Sequence, residues 1–268
     1  MRKTTMLEGH VALITGGGGE IGGAIARRLA TEGARIVVGD IRKEACDAVA
    51  ADIIQNGGEA LSLEADSSKP AEAQRLVEET IKRFGKLTTY VNTPASATPD
   101  SLIENLSFEA WNEALAVNLS GAFLMCKYAI PHIRTAGGGS IILIASQLGQ
   151  IGVPLRASYS TTKAALIQLA KCLAVDHAID NIRVNSISPG SIDTRRTLRR
   201  YGTREVANKA RGPFHLLGRT GRADEIAAGA RCLASEESSF MTGADLLLDG
   251  GYLAFKGLQS TAGKVDPA

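Results

Sequence analysis

Short apolar runs alternate along this chain with longer segments of helical periodicity. Val11–Thr15, Arg35–Asp40, Ala60–Glu64, Leu87–Asn92, Ser140–Ala145, Arg183–Ser188 and Asp245–Leu248 are four to six residues long, mostly apolar and without clean alternation. Strands covered by helices on both faces of a parallel sheet read in this way. Between them, segments near 20–32, 42–56, 70–85, 108–135, 157–179 and 223–235 repeat at helical spacing, as at Ala24, Ile25 and Leu29 and again at Ala164, Ala165, Leu169 and Cys172. The alternation predicts a doubly wound α/β fold, a seven-stranded parallel sheet with right-handed crossovers, flanked by helices. No linker, repeat or low-complexity stretch divides the chain. A single domain is expected over 1–255, with a Gly-interrupted insertion at 193–222 before the last helix and a polar, poorly ordered tail at 256–268.

Composition changes this picture only through the placement of charge. The 268 residues are 44% hydrophobic and 22% charged, with a formal charge of +2. Residues 195–222 hold nine basic groups and one acid, so that segment is +8 and the other 240 residues are −6. A chain-wide polyelectrolyte role such as coating nucleic acid is excluded. Cys46, Cys126, Cys172 and Cys232 form no CxxC pair, which argues against a zinc site or disulfide framework and fits a reducing compartment. No signal peptide is visible and no stretch approaches the roughly 18 apolar residues of a membrane span. A cytoplasmic protein with no membrane, nucleic-acid or metal partner is expected.

The first strand runs from Thr15 directly into Gly16-Gly17-Gly18-Gly19-Glu20-Ile21-Gly22-Gly23, and a helical segment follows. Glycines in that setting let backbone N–H groups approach a pyrophosphate at a positive helix N-terminus. The second strand ends in Asp40, where a carboxylate accepts from ribose hydroxyls and repels a 2′-phosphate. NAD is therefore favoured over NADP, although Arg42, two residues on, leaves NADP open. Tyr159 and Lys163 are four apart and share a helix face, and Ser146 closes the fifth strand, at the sheet end where such folds bind ligands. A phenol is a poor base at neutral pH, but a nearby cation favours its charged form. With Ser146 holding the substrate oxygen, the three describe proton removal from an alcohol coupled to hydride transfer.

These features together resemble the short-chain dehydrogenase/reductase family over nearly the whole chain, with its Rossmann-like fold. The match runs through the glycine loop, Asp66 after the third strand, Asn92 ending the fourth and Asn118 in VNLSGAF. It continues through Ser146, Tyr159 and Lys163, Pro189-Gly190 with Thr194, and MTGADLLLDGG at 241–251. The resemblance implies that Tyr159 is the general acid/base, that Lys163 favours its phenolate and holds the nicotinamide ribose, and that Ser146 orients the substrate oxygen. Asn118 would maintain a water-linked proton relay to Lys163. The cofactor would lie against Gly16, Gly18, Gly19, Glu20, Ile21, Gly22, Asp40 and Ile41. Asp66, with Ser67, would contact the adenine, Asn92 would support the cleft, and Pro189, Gly190, Ile192 and Thr194 would border the carboxamide. A homotetramer is implied, with the helices around 108–135 and 157–179 in one interface. Two departures stand out. Glu20 occupies a position where the family pattern has Gly, and it is expected to face solvent. The family's Asn-Asn-Ala-Gly reads Asn92-Thr93-Pro94-Ala95, which alters the backbone beside the nicotinamide.

In this family the segment after Thr194 folds over the substrate. Here it is arginine-rich, and Arg195 and Arg199, with Arg156 and Gln147 nearer the catalytic groups, are the candidate substrate residues. Guanidinium forks suit a carboxylate, sulfonate or phosphate, but a solvated helix face is the plainer reading of a charge run. The expected activity is NAD-dependent interconversion of a secondary alcohol (a polyol, sugar derivative or hydroxy acid) and its ketone. The alternatives are an NADPH-dependent ketone reductase and a non-catalytic dinucleotide sensor. His215, in the same segment, is read as a structural histidine.

Overall fold

A computed structural model describes residues 5–254; the expected tail at 256–268 lies outside the described residues. Seven strands, β1 (Val11–Thr15), β2 (Arg35–Asp40), β3 (Ala60–Glu64), β4 (Thr89–Asn92), β5 (Gly139–Ile144), β6 (Ile182–Pro189) and β7 (Asp245–Leu248), form one sheet in the order β3-β2-β1-β4-β5-β6-β7. Every neighbouring pair is parallel. Alternation along β1 shows how both faces are filled: Val11 and Leu13 enter one apolar cluster and Ala12 and Ile14 the other. The helices α1 (Glu20–Thr31), α2 (Lys43–Gln55) and α9 (Ala223–Ala234) cover the second face. The first is covered by α3 (Pro70–Phe84), α5 (Gly121–Thr135) and α6 (Ala157–His177). Strand order reverses between β1 and β4, and in such sheets the ligand crevice opens there, beyond the carboxyl ends of the strands.

Three expectations need correction. The fourth strand was expected from Leu87, but the ladder starts at Thr89. The Thr88 hydroxyl takes the Val11 N–H (3.0 Å) and donates to the Val11 carbonyl (3.1 Å), so a side chain replaces one ladder rung. The segment 108–135 is not one α-helix: α4 (Phe108–Leu115) and α5 are joined by a π turn at Ala116–Ser120. By length and composition this 28-residue run is apolar enough to cross a membrane, contrary to expectation. Met125, Cys126, Ala129 and Ile133 nevertheless pack into the core against the sheet. Phe108, Phe123 and Val175 stand exposed on α4, α5 and α6, the helices on which the resemblance places an oligomer interface.

The insertion at 193–222 folds as two short helices, α7 (Arg195–Tyr201) and α8 (Arg204–Arg211). Thr194 and Thr203 cap them, their hydroxyls accepting from the Thr197 and Val206 N–H groups. An isolated bridge pairs Ile192 with Gly221, and Gly221 N–H donates to the Ser191 carbonyl (2.9 Å). Both ends of the insertion are thereby pinned together at the end of β6. His215 is buried within it, with Nδ1 2.5 Å from the Asp249 carbonyl oxygen, as a structural role requires.

Candidate active site

The carboxyl ends of β1, β2, β4, β5 and β6 border a cavity of about 380 Å³ that runs from the glycine loop to Tyr159. At the loop end, Gly16 adopts φ +68°, and a Cβ there would lie 2.5 Å from Thr93 Oγ1. Gly22 packs against the Gly16 carbonyl so closely that a side chain would have to displace it. The first turn of α1 has no side-chain cap, which leaves its orphan N–H groups for an anion. Gly16, Gly19, Glu20, Ile21 and Gly22 line the cavity. Gly18 does not, but its N–H donates to Asp40 Oδ2 (3.2 Å) and so fixes the carboxylate beside the loop. Asp40 also accepts from the Arg42 backbone N–H (3.1 Å) and Nε (3.2 Å), and both residues line the cavity. A glycine cradle, an uncapped helix start and a strand-end carboxylate together fit a nicotinamide dinucleotide. Among the described residues no group of three His, Cys, Asp or Glu is placed to hold a metal ion.

Glu20 does not simply face solvent. It lines the cavity, and its Oε1 lies 3.1 Å from Nε of Arg195 on α7. The phosphate loop and the insertion are thus bridged across the mouth of the cleft. Ile41 is exposed and, like Asp66 and Ser67, lies off the cavity. The Asp66 carboxylate closes the turn into α3, accepting from the Ser68 N–H (3.0 Å) and hydroxyl (2.6 Å). Asn92 is fully buried, its Oδ1 accepting from the Tyr90 hydroxyl (2.9 Å) on β4 and from the Thr15 hydroxyl (3.4 Å) on β1, so it braces the β1–β4 seam.

At the other end of the cavity stand Ser146, Tyr159 and Lys163. Ser146 Oγ accepts from the Leu148 N–H (3.1 Å), which leaves its own O–H to donate. Lys163 is 2% exposed and its Nζ donates to the Ile144 carbonyl (2.8 Å) at the end of β5. Lys163 Nζ, Arg156 Cζ and Arg196 Cζ each lie 5.8 Å from the Tyr159 ring centroid. Asn118 sits in the π turn; its Oδ1 accepts from the Ser96 N–H (2.7 Å) and its Nδ2 donates to Thr162 Oγ1 (3.0 Å), one residue before Lys163. The helix irregularity therefore tethers α6 from behind. Pro189, Gly190, Ile192 and Thr194 complete the wall, and Gln147 and Arg156 line it too.

Burial pushes the Lys163 ammonium down to about 7, with Arg196 adding to the effect. Between pH 7 and the ordinary lysine range near 10.4, the unfolded chain thus binds a proton that the folded chain does not. Stability contributed by this group therefore rises with pH across that window, by at most about 1.4 kcal/mol per unit. In urea titrations from pH 7 to 9, the wild type is expected to show this rise and Lys163→Met to lose it; equal slopes would contradict the assignment.

The arginines are distributed differently from the expectation. Arg195 turns to Glu20 and Arg199 lines an adjoining cavity, so neither borders the active-site cavity. Arg196 and Arg211 border both cavities, and sequence reasoning did not single them out. The Thr194 cap sets the phase of α7, placing Arg196, Thr197 and Arg200 on one face, and that cap is the signal in the sequence that could have found Arg196. Acidic groups outside the basic cluster offset several of its charges: Asp193 pairs with Arg204, and Asp100 with both Arg200 and Arg156 (2.9 Å each). Arg196 and Arg211 have no carboxylate within ion-pairing distance among the described residues. Burial, with Arg196 and Arg200 against it, lowers Arg156 below the usual guanidinium value despite Asp100.

Comparison with known proteins agrees with this architecture. The family profile described as enoyl-(acyl carrier protein) reductase matches residues 18–253, and the chain belongs to the short-chain dehydrogenase/reductase family. It is 39% identical over 246 residues to a 2,5-dichloro-2,5-cyclohexadiene-1,4-diol dehydrogenase of Sphingobium indicum, covering 92% of this chain and 97% of that one. It is 35% identical over 245 residues to a cis-4-hydroxycyclohexanecarboxylate dehydrogenase of Sinomonas cyclohexanicum (91% and 97%). To a D-threitol dehydrogenase of Mycolicibacterium smegmatis it is 36% identical over 247 residues (92% and 94%). The chain is an oxidoreductase of that family, which implies a nicotinamide dinucleotide as its cofactor.

Proposed function

We propose that this protein uses NAD to oxidise a small secondary alcohol that carries an anionic group, with 193–222 serving as its substrate loop. The observation that carries the reading is the pair of guanidiniums, Arg156 and Arg196, that stand with Lys163 around Tyr159 beside Ser146. The substrate hydroxyl sits between Ser146 and Tyr159; Ser146 donates to its oxygen and Tyr159 takes its proton. The bound nicotinamide supplies the hydride acceptor. Lys163 steadies the phenolate and the ribose. Asn118 maintains a water-linked proton relay to Lys163 from the π turn that its amide ties to Ser96 and Thr162. Arg156 and Arg196 hold the anion on the insertion side. NAD is supported over NADP because Asp40 occupies the loop end of the cleft and holds Arg42 to itself.

The names of two relatives bracket the substrate question: one acts on a hydroxycyclohexanecarboxylate and another on an uncharged tetritol. Arg196→Ala is expected to raise KM for 4-hydroxycyclohexanecarboxylate on the order of 10-fold and that for cyclohexanol far less. Equal effects on both alcohols would show that Arg196 recognises no substrate anion.

A further inference from the structure

The insertion and the loop after β4 enclose a second cavity of about 410 Å³ beside the active-site cavity. Five arginines border it, Arg156, Arg196, Arg199, Arg200 and Arg211, against a single carboxylate, Asp100. Asp100 offsets one charge and leaves four. Its two oxygens are already taken by Arg156 and Arg200, at 2.9 Å each. Among the described residues, Arg196, Arg199 and Arg211 have no carboxylate within ion-pairing distance.

A charge run along one solvated helix does not account for this, because separate parts of the chain assemble the cluster. Helix α7 brings Arg196, Arg199 and Arg200, α8 ends on Arg211, and Arg156 stands at the start of α6. Leu155, just before Arg156, adopts φ +64°, a left-handed conformation that L side chains rarely take. A bridge between Ser101 and Arg156, with Ser101 N–H donating to the Leu155 carbonyl (3.1 Å), holds it there beside Asp100. Strain of this kind persists where the surroundings enforce it, and it clusters at ligand sites. Gathering like charges also opposes the folded state unless a counter-ion is bound.

The donors select the counter-ion. Each guanidinium stays charged and presents a planar fork of N–H groups. A carboxylate has one charge and two oxygens to share among three unpaired forks. A phosphate group has close to two charges and three free oxygens, one for each fork. We propose that this second cavity binds a phosphate group, at a site separate from the glycine loop and from the catalytic residues. Arg156, Arg196 and Arg211 border both cavities, so the phosphate is either an ester on the alcohol held at Tyr159 or a free anion.

The test saturates the full chain with NAD, which fills the glycine cradle, and titrates inorganic phosphate at constant ionic strength. Saturable binding by phosphorus NMR is expected, with a rise in melting temperature that chloride does not reproduce. Arg199→Ala, which alters the second cavity alone, should weaken phosphate binding by about 10-fold or more. Without phosphate, the same variant should melt at or above the wild-type temperature, because it relieves repulsion. Tyr159→Phe should bind phosphate as the wild type does. No saturable binding, equal affinity in Arg199→Ala, or loss of binding in Tyr159→Phe would overturn the proposal. Oxidation of glycerol 1-phosphate in preference to glycerol, with inorganic phosphate competing, would assign the site to a substrate ester. Saturable binding of phosphate that does not compete with the alcohol would assign it to the free anion. NADH from no alcohol would contradict the dehydrogenase reading and leave the binding result standing.

Discussion

Tyr159→Phe is expected to lower kcat for NAD-linked alcohol oxidation by about 10³-fold, within the range that positioned acid–base groups contribute. The change removes only the hydroxyl. The ring that Lys163, Arg156 and Arg196 surround at 5.8 Å remains, and with it the packing of the cavity wall. NAD affinity should accordingly shift much less than kcat, because the glycine cradle and Asp40 lie at the other end of the cavity. Stopped-flow or steady-state NADH formation, paired with NAD titration, separates the two effects. Turnover within tenfold of wild type would mean that another group takes the proton, and among the cavity residues only Lys163, brought down to about 7 by burial, is placed to do so.

The second large effect is expected at Asp40. Asp40→Asn keeps an acceptor for the Gly18 N–H while removing the charge that would face a 2′-phosphate. It also weakens the hold on Arg42, whose guanidinium then becomes available to that phosphate. Like charges brought together in a binding site cost several kcal/mol, so the ratio of NADP to NAD specificity should rise by about 10²-fold. Initial rates with each cofactor under saturating alcohol measure this directly. A wild type that already prefers NADP, or a ratio unmoved by the substitution, would remove Asp40 from the role assigned to it.

Features written in local sequence were legible from it. The β1–loop–α1 unit, Asp40 at the end of β2 and the Tyr159–Lys163 spacing depend on neighbours a few residues away, and the structure brings them to one cavity. What escaped depends on distant partners. The π turn around Asn118 is held by Ser96 and by Thr162, 44 residues on. The start of β4 is set by Val11, 77 residues before Thr88, whose N–H is taken by the Thr88 hydroxyl. Glu20 was expected in solvent because a carboxylate aimed at the pyrophosphate would weaken binding; its partner Arg195 arrives only when the insertion folds over the cleft. Choosing Arg195 rather than Arg196 was an error of helical phase. In a seven-residue helix a one-residue shift turns a side chain by about 100°, from the cavity to its rim.

The most direct test of the account is the initial rate of NADH formation by the wild-type protein with 4-hydroxycyclohexanecarboxylate and with cyclohexanol, each run with NAD and with NADP. Oxidation with NAD well above NADP is expected, with a lower KM for the carboxylate-bearing alcohol. Oxidation only with NADP, or a KM that does not distinguish the charged from the neutral alcohol, would contradict it.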